Sequence, residues 1–174
     1  MARKTAGFTL IEAMVVLAIA AVTLTLGIPA FNDVLQRQRV ATTMHLLSAD
    51  MAMARGTALM PRSQVVVCPR RAPTACNDTR DWSRGWLVFI DPDGNRQPDA
   101  GSDILRASDA PASDQLYLPS TRSFLRYQAD GRSAHSNLTV RVCAGNTLRG
   151  KVVVNNLGRV RSERPRRGTA CGDG

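Results

Sequence analysis

Gly7-Phe8-Thr9-Leu10-Ile11-Glu12 opens an apolar run that continues to Phe31. Only the short basic stretch Met1-Ala2-Arg3-Lys4-Thr5-Ala6-Gly7 precedes it. The membrane-seeking segment therefore starts too early for an ordinary secretory signal, which is cut at small residues after its apolar core. From Phe8 to Phe31 there are 24 residues, and Glu12 is the only charge among them. Roughly 20 such residues cross a bilayer as a helix. A carboxylate in hydrocarbon costs roughly 2.5–3.5 kcal/mol on insertion scales, so Glu12 needs a partner. Cutting the chain after Gly7 would provide one. The new amino group of Phe8 would stand four residues from Glu12, on the same chain or on a neighbour in a filament.

Pro29 lacks an amide donor and is expected to kink the helix near the membrane exit without ending it. Beyond it, Phe31, Val34, Leu35, Met44, Leu47, Met51 and Ala54 recur at helical spacings, with Asp33, Arg37, Arg39, His45 and Asp50 between them. Such a stripe needs a surface to pack on. Gly56, with Pro61 soon after, is expected to close the helix. The predicted organisation is a leader at 1–7, a helix at 8–56 whose first half to about 31 spans the membrane, and a head at 57–174. That head is one compact domain with a real core, too short for two.

Within the head the period changes from helix to strand. Gln64–Cys68 and Gly85–Ile90 are short β-branched or aromatic runs, and Asp91-Pro92-Asp93-Gly94-Asn95 is turn chemistry after the second. Further strands are expected at Asp103–Arg106, Gln115–Leu118, Ser123–Tyr127, Leu138–Cys143 and Lys151–Asn155, with loops at Asn77–Arg84, Gln97–Ser102 and Ala107–Ser113. Strands that follow one another without helices predict antiparallel sheets, here packed on the long N-terminal helix, an α+β fold.

Four cysteines in a chain whose body leaves the cytoplasm point to disulfides. Three pairings exist; the expected one is Cys68 with Cys76 and Cys143 with Cys171. A zinc site is not expected, since there is neither a close Cys pair nor a His cluster. The formal charge is +9, and its distribution is uneven. Residues 8–140 hold 13 Arg against 12 Asp and Glu, whereas residues 141–174 hold seven Arg and one Lys against Glu163 and Asp173. The basic character belongs to the C-terminal fifth.

The leader string, with Arg3 and Lys4 before it and Pro29 inside the apolar run, resembles the class III signal of type IV pilins and type II secretion pseudopilins. That resemblance implies cleavage after Gly7 by a prepilin peptidase, N-methylation of Phe8, guidance of assembly by Glu12, contacts with other major and minor pilins, and an inner-membrane subunit whose head is periplasmic before it reaches the pilus surface. In the head, Trp82–Phe89, Asp91–Asn95, Ile104-Leu105-Arg106 and Gly158-Arg159-Val160-Arg161 before Cys171 are similar to the minor pilins and pseudopilins grouped as FimT, FimU and GspH. The Gly-Arg-x-Arg string resembles the C-terminal motif of FimT-type pilins. It implies binding of extracellular DNA for natural transformation through Arg159 and Arg161. A structural minor pilin of the FimU kind, or a GspH-like pseudopilin, is the alternative.

Charge alone extends that patch. Arg164, Arg166 and Arg167 follow among Gly, Pro and Ser, and guanidinium forks suit phosphate oxygens. No aromatic interleaves them, so backbone contact without sequence readout is the expectation. Other chemistry finds little support. Asp91, Asp93 and Asn95 resemble the start of a calcium loop, but Gly94 falls two places early and the twelfth position is Ser102 rather than Glu. His45 and His135 are the only histidines, and no nucleophile, paired carboxylates or phosphate loop accompanies either. Neither an enzyme nor a cofactor is expected.

Overall fold

The computed structural model describes residues 9–60, 62–109, 116–133, 135–165 and 168–172. Its longest element is helix α1, Leu10–Leu59, with Pro29 inside it. The chain divides into two compact units, residues 1–38 and 39–174. In the first, helix formation begins at Thr9, whose hydroxyl oxygen accepts the Glu12 amide at 3.3 Å. This is the side-chain cap that a Thr-x-x-Glu start favours. The hydroxyls of Thr23 and Thr25 donate back to the helix's own carbonyls at Ala20 and Val22, both at 2.9 Å. Thr23 and Thr25 thus keep their hydroxyls bonded within the helix, as a spanning helix requires. The segment is long and apolar enough to cross a membrane.

In the second unit the helix carries a single buried stripe, Val40, Met44, Leu47, Met51, Ala54 and Ala58, at alternating steps of four and three. The sequence reading began this stripe at Phe31 and Val34. Both are exposed, at 63% and 48%. Periodicity marks an apolar face without saying whether its cover lies in the same chain. Gly56 does not end the helix, which runs to Leu59. A mid-helix glycine costs about 1 kcal/mol relative to alanine, and burial of Ala54 and Ala58 on either side outweighs it.

Two antiparallel sheets cover that stripe. The first has the order β2-β1-β3-β4, with β6 also paired to β1. Its strands are β1 (Val65–Ala72), β2 (Ala75–Cys76), β3 (Gly85–Ile90), β4 (Ile104–Asp109) and, later in the chain, β6 (Leu125–Tyr127). Val65, Val67, Trp86 and Val88 face the helix core, while Val66, Leu87 and Phe89 join Cys68 and Cys76 in a second cluster on the other side. Both faces are buried, which explains the unbroken apolar runs of β1 and β3. Residues 107–109, expected in a loop, continue β4. Ser108 among them is buried, and its hydroxyl donates to Asp50 at 2.5 Å.

The second sheet has the order β5-β7-β8-β9, comprising β5 (Leu116–Tyr117), β7 (Leu138–Ala144), β8 (Thr147–Val154) and β9 (Val160–Glu163). Leu138, Val140, Val142, Val152 and Val154 face the helix. Gly150 leaves room on that face for Met44, whose sulfur would lie 2.2 Å from a Cβ there. The alternate positions, Thr139, Arg141, Lys151 and Val153, are only partly buried. This sheet is closed on one side and open on the other.

Buried carboxylates tie the layers together. Asp50 of α1 accepts Trp86 Nε1 at 2.8 Å and pairs with Arg106 Nε at 2.9 Å. Asp91 is fully buried after β3, and burial pushes its carboxyl above the ordinary range, although the Arg96 amide and the Arg126 guanidinium pull the other way.

Candidate nucleic-acid interface

The arginine string begins at a tight turn. Gly158 donates to the Asn155 carbonyl at 2.8 Å, and the Asn155 amide returns to the Arg159 carbonyl at 3.2 Å. The Asn155 side chain completes the loop by accepting the Arg159 amide at 3.0 Å. Gly158 has φ +76°, and a Cβ there would fall 2.1 Å from the Gly131 carbonyl oxygen. That oxygen is itself held by Arg55 Nε at 3.0 Å. Only glycine fits both the left-handed backbone and the close approach. The hairpin is thereby fixed on the helix before its arginines begin.

Beyond the turn, β9 pairs with β8, with Val160 opposite Val154, Arg161 opposite Val153 and Glu163 opposite Lys151. The sequence reading left these residues outside any strand. Strand alternation sorts their side chains. Val160 packs against the core, and Ser162 Oγ meets Ser48 Oγ of α1 at 2.8 Å. Arg159, Arg161 and Glu163 therefore point away from the helix. Arg159 and Arg161 are exposed, as is Arg164 just past the strand.

The same open face carries cations from two other strands. Arg141 of β7 stands opposite Lys151 of β8, and Arg149 lies exposed in the irregularity between them. Sequence reasoning missed these three because it counted charge along the chain rather than across strands. A partial signal was available: Leu138–Val142 alternates apolar and polar residues with Arg141 at one polar position, and Arg149 and Lys151 stand two apart. Glu163 opposes them. Its carboxylate lies 2.7 Å from Lys151 Nζ and 2.8 Å from Arg161 Nε. The hydrogen bond from Lys151, reinforced by the charges of Lys151 and Arg161, holds its carboxyl below the ordinary range.

The chain returns to the same sheet edge after Pro165. Thr169 accepts the Leu148 amide at 2.9 Å, Ala170 bridges Thr147, and Cys171 donates to the Asn146 carbonyl at 2.9 Å. Cys171 is bonded to Cys143 of β7, and Cys68 to Cys76 across β1 and β2. Glu163 and Ala170 are thus both paired with β8, at Lys151 and at Thr147. Arg166 and Arg167 lie outside the described residues, as do Gly7 and Phe8. Glu12 is exposed in the first turn of α1, where the helix dipole favours a carboxylate.

The calcium-like loop is occupied from within. Arg126 Nη2 lies 3.5 Å from Asp91 Oδ2 and donates to the Gly94 carbonyl at 2.9 Å. Asp93 accepts the Asn95 amide and side chain at 3.2 and 2.8 Å. A guanidinium holds the place a cation would need, and the turn reading accounts for the residues.

Residues 2–28 match the prokaryotic N-terminal methylation motif, and residues 43–158, two thirds of the chain, match type II transport protein GspH. The chain belongs to the GspH family. This is a family of structural pilins and pseudopilins, and the methylation motif with its apolar helix marks this GspH-family pilin as membrane-anchored. Two crystal forms of the type IV minor pilin FimU from Pseudomonas aeruginosa PAO1 share its fold. One aligns with a TM-score of 0.61 at 17% identity over 75% of this chain and 96% of FimU. The other gives 0.57 at 17% identity over 72% and 97%. No curated protein sequence matches the chain. The family match ends at Gly158, so the turn glycine lies inside it and Arg159 onward lies outside.

Proposed function

We propose that this GspH-family pilin is a minor type IV pilin of the FimT kind, cut after Gly7 by a prepilin peptidase, methylated at Phe8 and guided into the filament by Glu12. Its anchor sits in the inner membrane and its head in the periplasm until assembly carries the head to the pilus surface. There it binds extracellular DNA for uptake. The observation that carries the DNA reading is the fixed, solvent-facing row of Arg159 and Arg161 on an edge strand, beside exposed Arg149 and Arg164. Arg166 and Arg167 extend the patch by charge. Such a surface suits phosphates and reads no sequence.

The test uses the full chain in non-ionic micelles and a fluorescent duplex. If about three to five phosphates are neutralised, log affinity falls against log salt with a slope of roughly 3 to 4.5, and unrelated sequences bind alike. Arg159→Gln with Arg161→Gln lowers affinity and flattens the slope. The matched control is Arg71→Gln with Arg84→Gln, both exposed and outside this sheet. Arg70 is unsuitable, because it pairs with Asp109 at 2.6 Å. Equal loss in both double variants means bulk charge and sinks the patch.

A second reading is a structural minor pilin or pseudopilin without DNA binding. The likeness to FimU and the pairing of Arg161 with Glu163 favour it. Absence of any duplex shift by the wild-type chain at low salt would select it.

A further inference from the structure

Glu163 sits where an anion from outside would be expected. One carboxylate oxygen is 2.7 Å from Lys151 Nζ, the other 2.8 Å from Arg161 Nε. A phosphodiester also presents two oxygens and one negative charge, so it could bridge the same donors. The donors are set by the ladder rather than by Glu163: Lys151 stands opposite it on β8, and Arg161 lies two residues before it on the same face. All three side chains reach solvent, with Lys151 36%, Glu163 34% and Arg161 69% exposed. The carboxylate can swing away without dragging the cations with it. Exposed pairs of this kind are weak, so they yield readily to a polyanion.

We propose that Glu163 is an internal counter-ion standing in the place of a backbone phosphate, and that Lys151 is a further DNA contact unmasked when a phosphate displaces the carboxylate. This rests on the DNA reading above. In the free chain two of the cations on the open face are already matched by Glu163. The wild-type salt slope is therefore smaller than the number of cations the DNA touches. Lys151 is the only lysine after Lys4.

The test measures duplex affinity against salt for the full chain in non-ionic micelles, using a 30-base-pair duplex of arbitrary sequence. Glu163→Gln is expected to bind about three- to tenfold tighter near 0.1 M salt, with a slope steeper by about 0.9 for each phosphate gained. Glu163→Thr, which suits an edge strand, should behave alike and guards against a folding defect in either variant. Lys151→Gln should weaken binding more in the Glu163→Gln background than in the wild type. Asp109→Asn, which removes a carboxylate paired with Arg70 on the other sheet, should change little. Unchanged or weaker binding by both Glu163 variants overturns the proposal, as does an equal gain from Asp109→Asn. If the wild type binds and the Arg159 and Arg161 pair abolishes it while Glu163 is inert, this inference alone fails. If neither the wild type nor Glu163→Gln binds at low salt, the DNA reading fails with it.

Discussion

The two sheets of the head are made of similar strands and put to different use. In the five-stranded sheet, β1 and β3 are buried on both faces, one against α1 and the other against the cluster of Val66, Leu87, Phe89 and the Cys68–Cys76 pair. The buried carboxylates beside it, Asp50 of α1 and Asp91 after β3, are paired with Arg106 and Arg126. In the four-stranded sheet only the helix side is covered, and the open side carries Arg141, Arg149, Lys151, Arg159 and Arg161 against Glu163. A sheet closed on both faces has no surface left for a ligand. The buried carboxylates beside the first sheet therefore hold the fold, and the exposed cations on the second are open to a ligand.

The largest expected effect tests the inward half of that contrast. Asp50→Ala leaves the Trp86 indole, the Ser108 hydroxyl and Arg106 facing an empty site. Removing one partner of a buried charge network costs on the order of 3–5 kcal/mol. A head of this size should lose roughly 10 °C or more in melting temperature. Circular dichroism melts check this, and the duplex affinity of the folded protein should stay at the wild-type value. A loss of DNA binding without a loss of stability would break the comparison.

Next in size is the tail clamp. Replacing Cys143 and Cys171 with Ser opens a loop with a sequence separation of 28, for which chain-entropy arguments give on the order of 3–4 kcal/mol. It also frees Thr169, Ala170 and Cys171 from the sheet edge, so both the melt and the duplex affinity should fall. Cys68→Ser with Cys76→Ser opens a loop with a separation of only 8 on the other sheet. That variant should lower stability alone. Gly158→Ala follows, with strain at a positive φ on the order of 1–3 kcal/mol and a clash with the Gly131 carbonyl. Because it moves the hairpin, it should weaken duplex binding while Arg159 and Arg161 remain present.

Much of this was legible beforehand, and the failures have physical causes. Gly85–Ile90 stands where its unbroken apolar run placed it, since a strand buried on both faces has no polar positions to confuse the reading. Strand β9 was missed because Arg159-Val160-Arg161-Ser162-Glu163 contains one apolar residue. An edge strand open to solvent needs no more, and its register comes from the Asn155–Gly158 turn and the neighbouring β8. The Gly-Arg-x-Arg spacing stands out as a motif, yet its meaning as alternation on a strand appears only with the ladder. Lys151 and Arg141 stayed hidden because partners across a sheet are distant in sequence. The cap at Thr9 was readable from Thr-x-x-Glu and was overlooked because Glu12 already had a candidate role.

The smallest effect concerns pH and sharpens the outward half. Glu163 faces Lys151, Arg161 and, one strand further, Arg141, all cations. The Lys151 hydrogen bond and the charges of Lys151 and Arg161 depress its folded pKa below that of the unfolded chain. A depressed carboxylate contributes stability above its unfolded pKa and loses it as pH falls through the folded value. Because the group is exposed, that contribution is slight. DNA binding responds in the opposite sense. While Glu163 is ionised it competes with phosphate, so from neutrality down through the ordinary carboxylate range this group leaves duplex affinity level. Only below that range should protonation release Lys151 and Arg161 and tighten binding. Glu163→Gln should already bind as the acid form does and lack this rise, whereas Asp109→Asn should retain it. Fluorescence anisotropy at fixed ionic strength across that window measures the difference between the two variants, which cancels the titration of every other carboxylate. If Glu163→Gln shows the same acid rise as the wild type, the carboxylate that matters lies elsewhere on the head.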